Sequence, residues 1–148
     1  MLELMKKYYE QLQEIERAYD AADEQNDEAG KVAAREAYHA WKDKAIAEGE
    51  DFWLVLQMYQ DAKKRGNEYI DLHDVIWDKD VPTVIGRLRK AGVKTFTFSS
   101  TWSSAVETAW LFVLNGCKLE GLVQINGTCQ TFMSEEYEQV PAYVFSII

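Results

Sequence analysis

The stretch Val93-Lys94-Thr95-Phe96-Thr97-Phe98-Ser99, continued by Ser100-Thr101-Trp102-Ser103-Ser104 and Ala105-Val106-Glu107-Thr108-Ala109-Trp110, decides the fold class. Its first seven residues alternate with period two, as side chains on opposite faces of a strand do. Its last six begin a helical spacing that Val113 and Leu114 continue and Asn115-Gly116 closes, with Ser104 and Glu107 at capping-box separation. Working upstream, Asp80-Val81-Pro82 reads as a helix start with a cap and an early proline. Val84, Ile85, Leu88 and Ala91 form the buried side of that helix, and Gly92 ends it. Tyr69 to Leu72 is a short extended candidate.

Downstream, Cys117 to Ile125 reads as a strand leading into Asn126-Gly127, the dipeptide that most favours a two-residue type I′ hairpin turn. Thr128 to Met133 is then expected to pair back, and Val140 to Ile147 to make a last strand. The expected path runs from strand 93–99 through helix 105–115 to a parallel strand 117–125 by a right-handed crossover, then into an antiparallel meander.

The N-terminal third has the clearest periodicity. Met5, Tyr8, Leu12, Ile15, Tyr19 and Ala22 recur at 3-4-3-4-3 spacing, one stripe of an α-helix. A helix of about 24 residues, roughly 36 Å long, needs a packing partner for that stripe. Asn26 or Asp27 can cap a second helix that carries Ala34, Ala37, Tyr38, Trp41 and Ala45 on one face, with Gly49 after it. A third helix is expected from about Asp51 to Arg65, with Phe52, Val55, Leu56 and Tyr59 inward and Gly66 just past its end. The expected class is α+β: an N-terminal helical hairpin plus a third helix, then α-β-α-β-β-β with a small mixed four-stranded sheet. Residues 1–49 form the hairpin extension and residues 50–148 the core domain.

Composition narrows what such a chain does. At 148 residues and 47% hydrophobic content it can bury a core, which excludes disorder as the main state. Cys117 and Cys129 have no zinc-type spacing and are too few for a disulfide framework, so they read as small apolar residues in a reducing compartment. No signal peptide or membrane-length apolar run is visible, which predicts a cytoplasmic protein with no membrane partner. The formal net charge of −9 opposes non-specific binding to nucleic acid. Residues 1–50 hold 13 acids and 7 bases, so most of the negative field lies in the hairpin.

The candidate sites follow from these patterns. Glu16, Asp20, Asp23, Glu24, Asp27 and Glu28 form an acidic block with only Lys31 directly after it. A solvated face explains such a block, and so does a surface that docks on a basic protein groove. Glu135, Glu136 and Glu138, before the last strand, can extend that surface. Ser99, Ser100, Thr101, Ser103 and Ser104 lie at the carboxyl end of a strand and open a helix, where backbone N–H groups can hold an anion; the same residues also serve as ordinary caps and turn formers. Hydrolytic chemistry there needs a base, and only His39 and His73 are available, so no catalytic set is assigned and the chain reads as a binder more than an enzyme. Asp71, His73, Asp74, Asp78 and Asp80 crowd into ten residues, but their spacing fits no metal loop, and neither metal nor cofactor is expected. Lys63-Lys64-Arg65 and Arg87, Arg89 and Lys90 sit in last helical turns, where cations complement the dipole. Trp102 and Trp110 are expected in the core, since aromatics at helical spacing mostly are, with exposed hot spots as the alternative.

Residues from about 67 to 148 resemble a family of small, functionally uncharacterised proteins carried on mobile elements of gut Firmicutes. The resemblance rests on Asn67-Glu68-Tyr69-Ile70-Asp71, Val75-Ile76-Trp77-Asp78-Lys79-Asp80, the run from Phe96 to Trp110, and the ending Val140-Pro141-Ala142-Tyr143-Val144-Phe145. It implies the company of anti-defence inhibitors, among them anti-CRISPR proteins directed at Cas9. The expectation is an inhibitor acting by protein binding, its acidic surface set against Cas9 or a Cas9–guide RNA complex. The alternative is a small enzyme or an anion- or nucleotide-binding protein that uses the turn at residues 99–104.

Overall fold

The periodic stripe of the first helix finds its partner directly. In the computed structural model, which describes residues 1–73 and 77–148, the elements are α1 (Leu2–Glu24), α2 (Glu28–Ala47), α3 (Glu50–Lys64), β1 (Ile70–Leu72), α4 (Val81–Lys90), β2 (Thr95–Phe98), α5 (Ala105–Leu114), β3 (Cys117–Gln130) and β4 (Tyr137–Ile147). Asp74 of the acidic segment, and Val75-Ile76 of the motif strings, lie outside the described residues. The class is α+β, with five α-helices, a short 3₁₀ turn at Asp78–Asp80 and a mixed four-stranded sheet among the described residues, the class expected. The chain forms two compact units, Met1–Leu56 and Gln57–Ile148, and their boundary falls inside α3.

In the first unit α1 and α2 form a hairpin. Asn26 takes the left-handed conformation (φ 53°) and Asp27 caps α2, its Oδ1 accepting from the Gly30 N–H at 3.0 Å. Met5, Tyr8 and Leu12 of α1 are buried, as are Ala34, Trp41 and Ala45 of α2 and Phe52, Val55 and Leu56 of α3. The Tyr8 ring meets Trp41 and Phe52 edge-on at 6.2 and 5.5 Å, and Trp41 Nε1 donates to the Tyr8 carbonyl at 2.9 Å. The buried indole N–H is thereby satisfied, so a tryptophan can sit in this core at no polar cost.

The second unit is built on the sheet order β1-β2-β4-β3. β1 and β2 are parallel, with Ile70 opposite Phe96, while β4 is antiparallel to both β2 and β3. One face carries an aromatic core: the Phe112 ring of α5 meets Phe96, Phe98 and Phe145 at 5.4, 5.1 and 5.3 Å, all near edge-on. α4 lies alongside α5 and buries Val81, Val84, Ile85 and Leu88.

Several expectations are corrected. β3 does not pair with β2; β4 lies between them, so β2 and β3 run parallel without being neighbours. The parallel neighbour of β2 is the short strand β1, reached through α4. Asn126-Gly127 is not a turn. β3 continues through it to Gln130, and the chain reverses over residues 131–136, where Thr131 N–H donates to the Glu136 carbonyl at 2.8 Å. Gly127 instead answers a close approach, since a Cβ there would lie 3.0 Å from Val140 Cγ1 and 3.1 Å from the Glu138 carbonyl oxygen. Ser104 and Asp80 occupy N-cap positions but make no side-chain cap bond. The buried residues of α5 are Thr108 and Phe112, not Trp110, and both Trp102 and Trp110 are exposed. Cys117 is buried, whereas Cys129 is exposed; both thiols are free.

Candidate functional site

Two arrangements of polar side chains stand out, one in each unit. In the first unit the acidic block divides by the use each carboxylate already has. Lys31 Nζ lies 2.7 Å from Asp23 Oδ1 and 3.3 Å from Glu28 Oε1, and Asp27 is engaged as the α2 cap. Among the described residues, Glu16, Asp20 and Glu24 hold no such partner. They recur every fourth residue of α1, so their carboxylates run along one side for about 12 Å at the ~1.5 Å rise of a helix. Glu24 stands in the last turn of α1, which contains no basic residue and where the helix dipole disfavours negative charge. Beside this row Glu16 and Asp20 line a groove with Tyr19, Arg35, Tyr38 and His39; the Arg35 guanidinium lies over the Tyr19 ring at 5.6 Å. Glu135, Glu136 and Glu138 belong to the second unit, where all three are exposed at and after the β3–β4 turn.

In the second unit the carboxyl ends of β1 and β2 gather around a buried charge. Asp71 Oδ1 accepts from Thr97 Oγ1 at 2.8 Å, and Asp71 Oδ2 accepts from Ser99 Oγ at 2.8 Å and from Arg65 Nη2 at 3.3 Å. Arg65 is itself buried; it donates to Asp61 at 2.6 Å and to the Asn126 carbonyl at 3.0 Å. Burial pushes the Asp71 carboxyl above the usual carboxylate range, against the opposing effect of the Thr97 and Ser99 hydrogen bonds and of the Arg65 and His73 charges. The cluster ties the end of α3 to β1, β2 and β3, which is a structural task.

The serine-rich turn is split by this arrangement. Ser99, Ser100 and Thr101 line a hollow of about 220 Å³ together with His73, Thr128 and Pro141. Ser104 lines a different one, with Trp77, Asp78 and Trp102, and Ser103 is exposed. The Ser99 hydroxyl is committed to Asp71, and Ser100 Oγ accepts from the Trp102 N–H at 3.1 Å. The hollow thus offers an imidazole and hydroxyls at the position where open α/β sheets bind ligands, with a carboxylate behind Ser99. Thr128 enters this wall from β3, which the expected turn at 126–127 concealed. Asp78 Oδ1 accepts from Thr108 Oγ1 at 2.8 Å, and among the described residues no three His, Cys, Asp or Glu side chains gather as a metal site. No helix of the described residues is long and apolar enough to cross a membrane.

No curated protein and no solved structure matches the chain. A family model described as "Domain of unknown function (DUF7698)" matches residues 54–147, which takes in the whole sheet and its helices and leaves α1 and α2 outside. With 94 of 148 residues matched, the chain belongs to the DUF7698 family.

Proposed function

We propose that the chain acts by binding a basic protein surface through the carboxylate row of α1. The observation that carries this reading is that Glu16, Asp20 and Glu24 remain exposed and, among the described residues, unpaired after Lys31 and the α2 cap have engaged their neighbours. Packing does not require them. They repel one another at about 0.2–0.5 kcal/mol per close pair, and Glu24 opposes the helix dipole as well. A partner lined with lysine and arginine turns that cost into attraction and speeds encounter. The first unit carries 14 acids against 7 bases, so its wider field points the same way.

The concrete form we propose is an inhibitor encoded on a mobile element that blocks a Cas9-type nuclease. The resemblance of residues 67–148 supports the setting, and the charge supports the mechanism, because the nucleic-acid channel of such a nuclease is positively charged. The test is target-DNA cleavage by several Cas9–guide complexes, with and without the protein, at two salt concentrations. Inhibition that weakens with salt and is lost in the triple variant Glu16→Lys, Asp20→Lys, Glu24→Lys is the expected result. Inhibition that survives the triple variant with unchanged salt dependence overturns the acidic docking mechanism, and no inhibition of any complex removes the nuclease as the target.

The hollow at the strand ends favours a second reading, binding of a small anion or nucleotide by His73, Ser100 and Thr101. A thermal-shift panel of phosphate and nucleotides, with Ser100→Ala as control, decides it: a stabilisation lost in the variant supports binding there, and a silent panel rejects it.

A further inference from the structure

Two tryptophans stand side by side on the surface of the second unit. Trp77 and Trp102 are 63 and 47% exposed, and their ring centroids lie 6.1 Å apart with the planes tilted by 50°. With Asp78, Lys79 and Ser104 they line an open hollow of about 700 Å³, separate from the one beside His73. The backbone holds both rings in place. The Trp77 carbonyl accepts from the Asp80 N–H at 2.9 Å, the Trp102 N–H donates to Ser100 Oγ at 3.1 Å, and the Trp102 carbonyl accepts from the Ala105 N–H at 3.2 Å. Thr108, buried on α5, donates to Asp78 Oδ1 at 2.8 Å and so ties the Trp77 segment to the helix that follows Trp102. Pairing leaves much of each indole in water, an unfavourable exposure that neither the core nor the pair relieves. Rings held in this way lose little freedom when a ligand covers them.

We propose that this hollow binds a neutral oligosaccharide, its rings lying against the indoles and its hydroxyls bonded to Asp78, Lys79 and Ser104. Both halves of the wall suit a sugar. The C–H bonds on one face of a pyranose ring carry partial positive charge, and the negative face of an indole attracts them. A carboxylate only accepts, an ammonium only donates and a serine hydroxyl does both; sugar hydroxyls donate and accept, so they satisfy all three. Other ligands that stack on tryptophan match this wall less well. A proline-rich peptide presents carbonyls and no N–H at its prolines, which sets acceptors against the Asp78 carboxylate. A quaternary ammonium asks for a net negative wall, whereas Asp78 and Lys79 cancel. A flat nucleobase gains most between parallel rings, which the 50° tilt denies it, and its phosphates meet a chain of net charge −9.

Isothermal titration calorimetry of the full chain with cello-, chito-, xylo- and malto-oligosaccharides, each at up to about 10 mM so that even a millimolar contact registers, tests this. The expected result is binding of at least one of them that Trp77→Ala and Trp102→Ala each weaken by about tenfold or more. Trp110→Ala, on α5 and also exposed but outside the hollow, should bind as the parent does. Circular dichroism and melting must match the parent for each variant. Should Trp102→Ala fail that control, Trp102→Leu, which keeps apolar bulk and removes the ring face, replaces it. Silence with all four saccharides overturns the proposal. So does a saccharide that binds both tryptophan variants as well as the parent, which would place it on another surface. Binding in this hollow of a uridine-rich RNA oligonucleotide, a proline-rich peptide or tetramethylammonium in place of the sugars overturns it as well.

Discussion

Arg65 and Asp71 show how much one pair of residues can hold. Their side chains are only 2 and 0% exposed, and each satisfies the other together with Thr97, Ser99 and the Asn126 carbonyl. Arg65→Ala leaves a carboxylate buried without its cation and is expected to cost about 3–5 kcal/mol in urea unfolding, whereas exposed Lys63→Ala should cost less than about 0.5 kcal/mol. The pH dependence carries a sign. Because burial raises the Asp71 carboxyl, the folded chain keeps that proton at a pH where the unfolded chain has released it. Its contribution to stability therefore grows as pH falls through the folded pKa and levels off below the unfolded one; above both, the cost of the buried charge is constant. Unfolding of the parent and of Asp71→Asn across mildly acidic pH should show the difference moving in the parent's favour on acidification. A difference that does not vary with pH would falsify the raised carboxyl.

Caps separate elements that the sequence marks alike. Asp27 and Ser104 both precede helices with acceptable capping chemistry, yet only Asp27 makes its bond. Asp27→Ala should lower stability by about 1 kcal/mol and Ser104→Ala by less than about 0.5 kcal/mol, read from melting of the two variants. Gly30→Ala should destabilise as well, although glycine to alanine inside a helix usually stabilises, because the new Cβ would come 2.9 Å from Ala22 Cβ and 2.5 Å from Asp27 Oδ2. The same contrast explains what was legible. Every helix and the strand at Phe96 could be read from local periodicity, because spacing within an element is a property of the chain alone. The neighbour order of the sheet could not, since the place of β4 between β2 and β3 depends on contacts between distant segments. Asn126-Gly127 has a strong local turn preference, but the match of Gln139–Ile147 to the whole of Cys117–Asn126 overrode it. α5 misled because it is apolar on two sides, and the ring cluster of Phe96, Phe98 and Phe145 selected Phe112 over Trp110. Of the candidate sites, the acidic row was legible as a block, while the hollow beside His73 needed Thr128 from a strand whose course the sequence concealed.

Charge acts on the molecule as a whole, and it sets the fold against the proposed function at the same three residues. With a net charge of −9, the chain repels itself in the compact state, and that repulsion weakens as salt shortens the screening length. Glu16, Asp20 and Glu24 concentrate the effect, for among the described residues none has a cation and the last is at the unfavourable end of α1. Neutralising them by Glu16→Gln, Asp20→Asn and Glu24→Gln removes two neighbouring repulsions and one dipole conflict, so the triple variant should be more stable than the parent by about 0.5–1.5 kcal/mol at low salt. The gain should shrink toward zero near 1 M NaCl, where the screening length is about 3 Å. Chemical denaturation by urea, which adds no ions of its own, measures both. If the row is a docking surface, this more stable variant should inhibit less, and the opposite signs of the two effects distinguish a lost contact from a lost fold. Stability that falls on neutralisation would mean that the carboxylates have structural partners after all, and the case for docking would lose its ground.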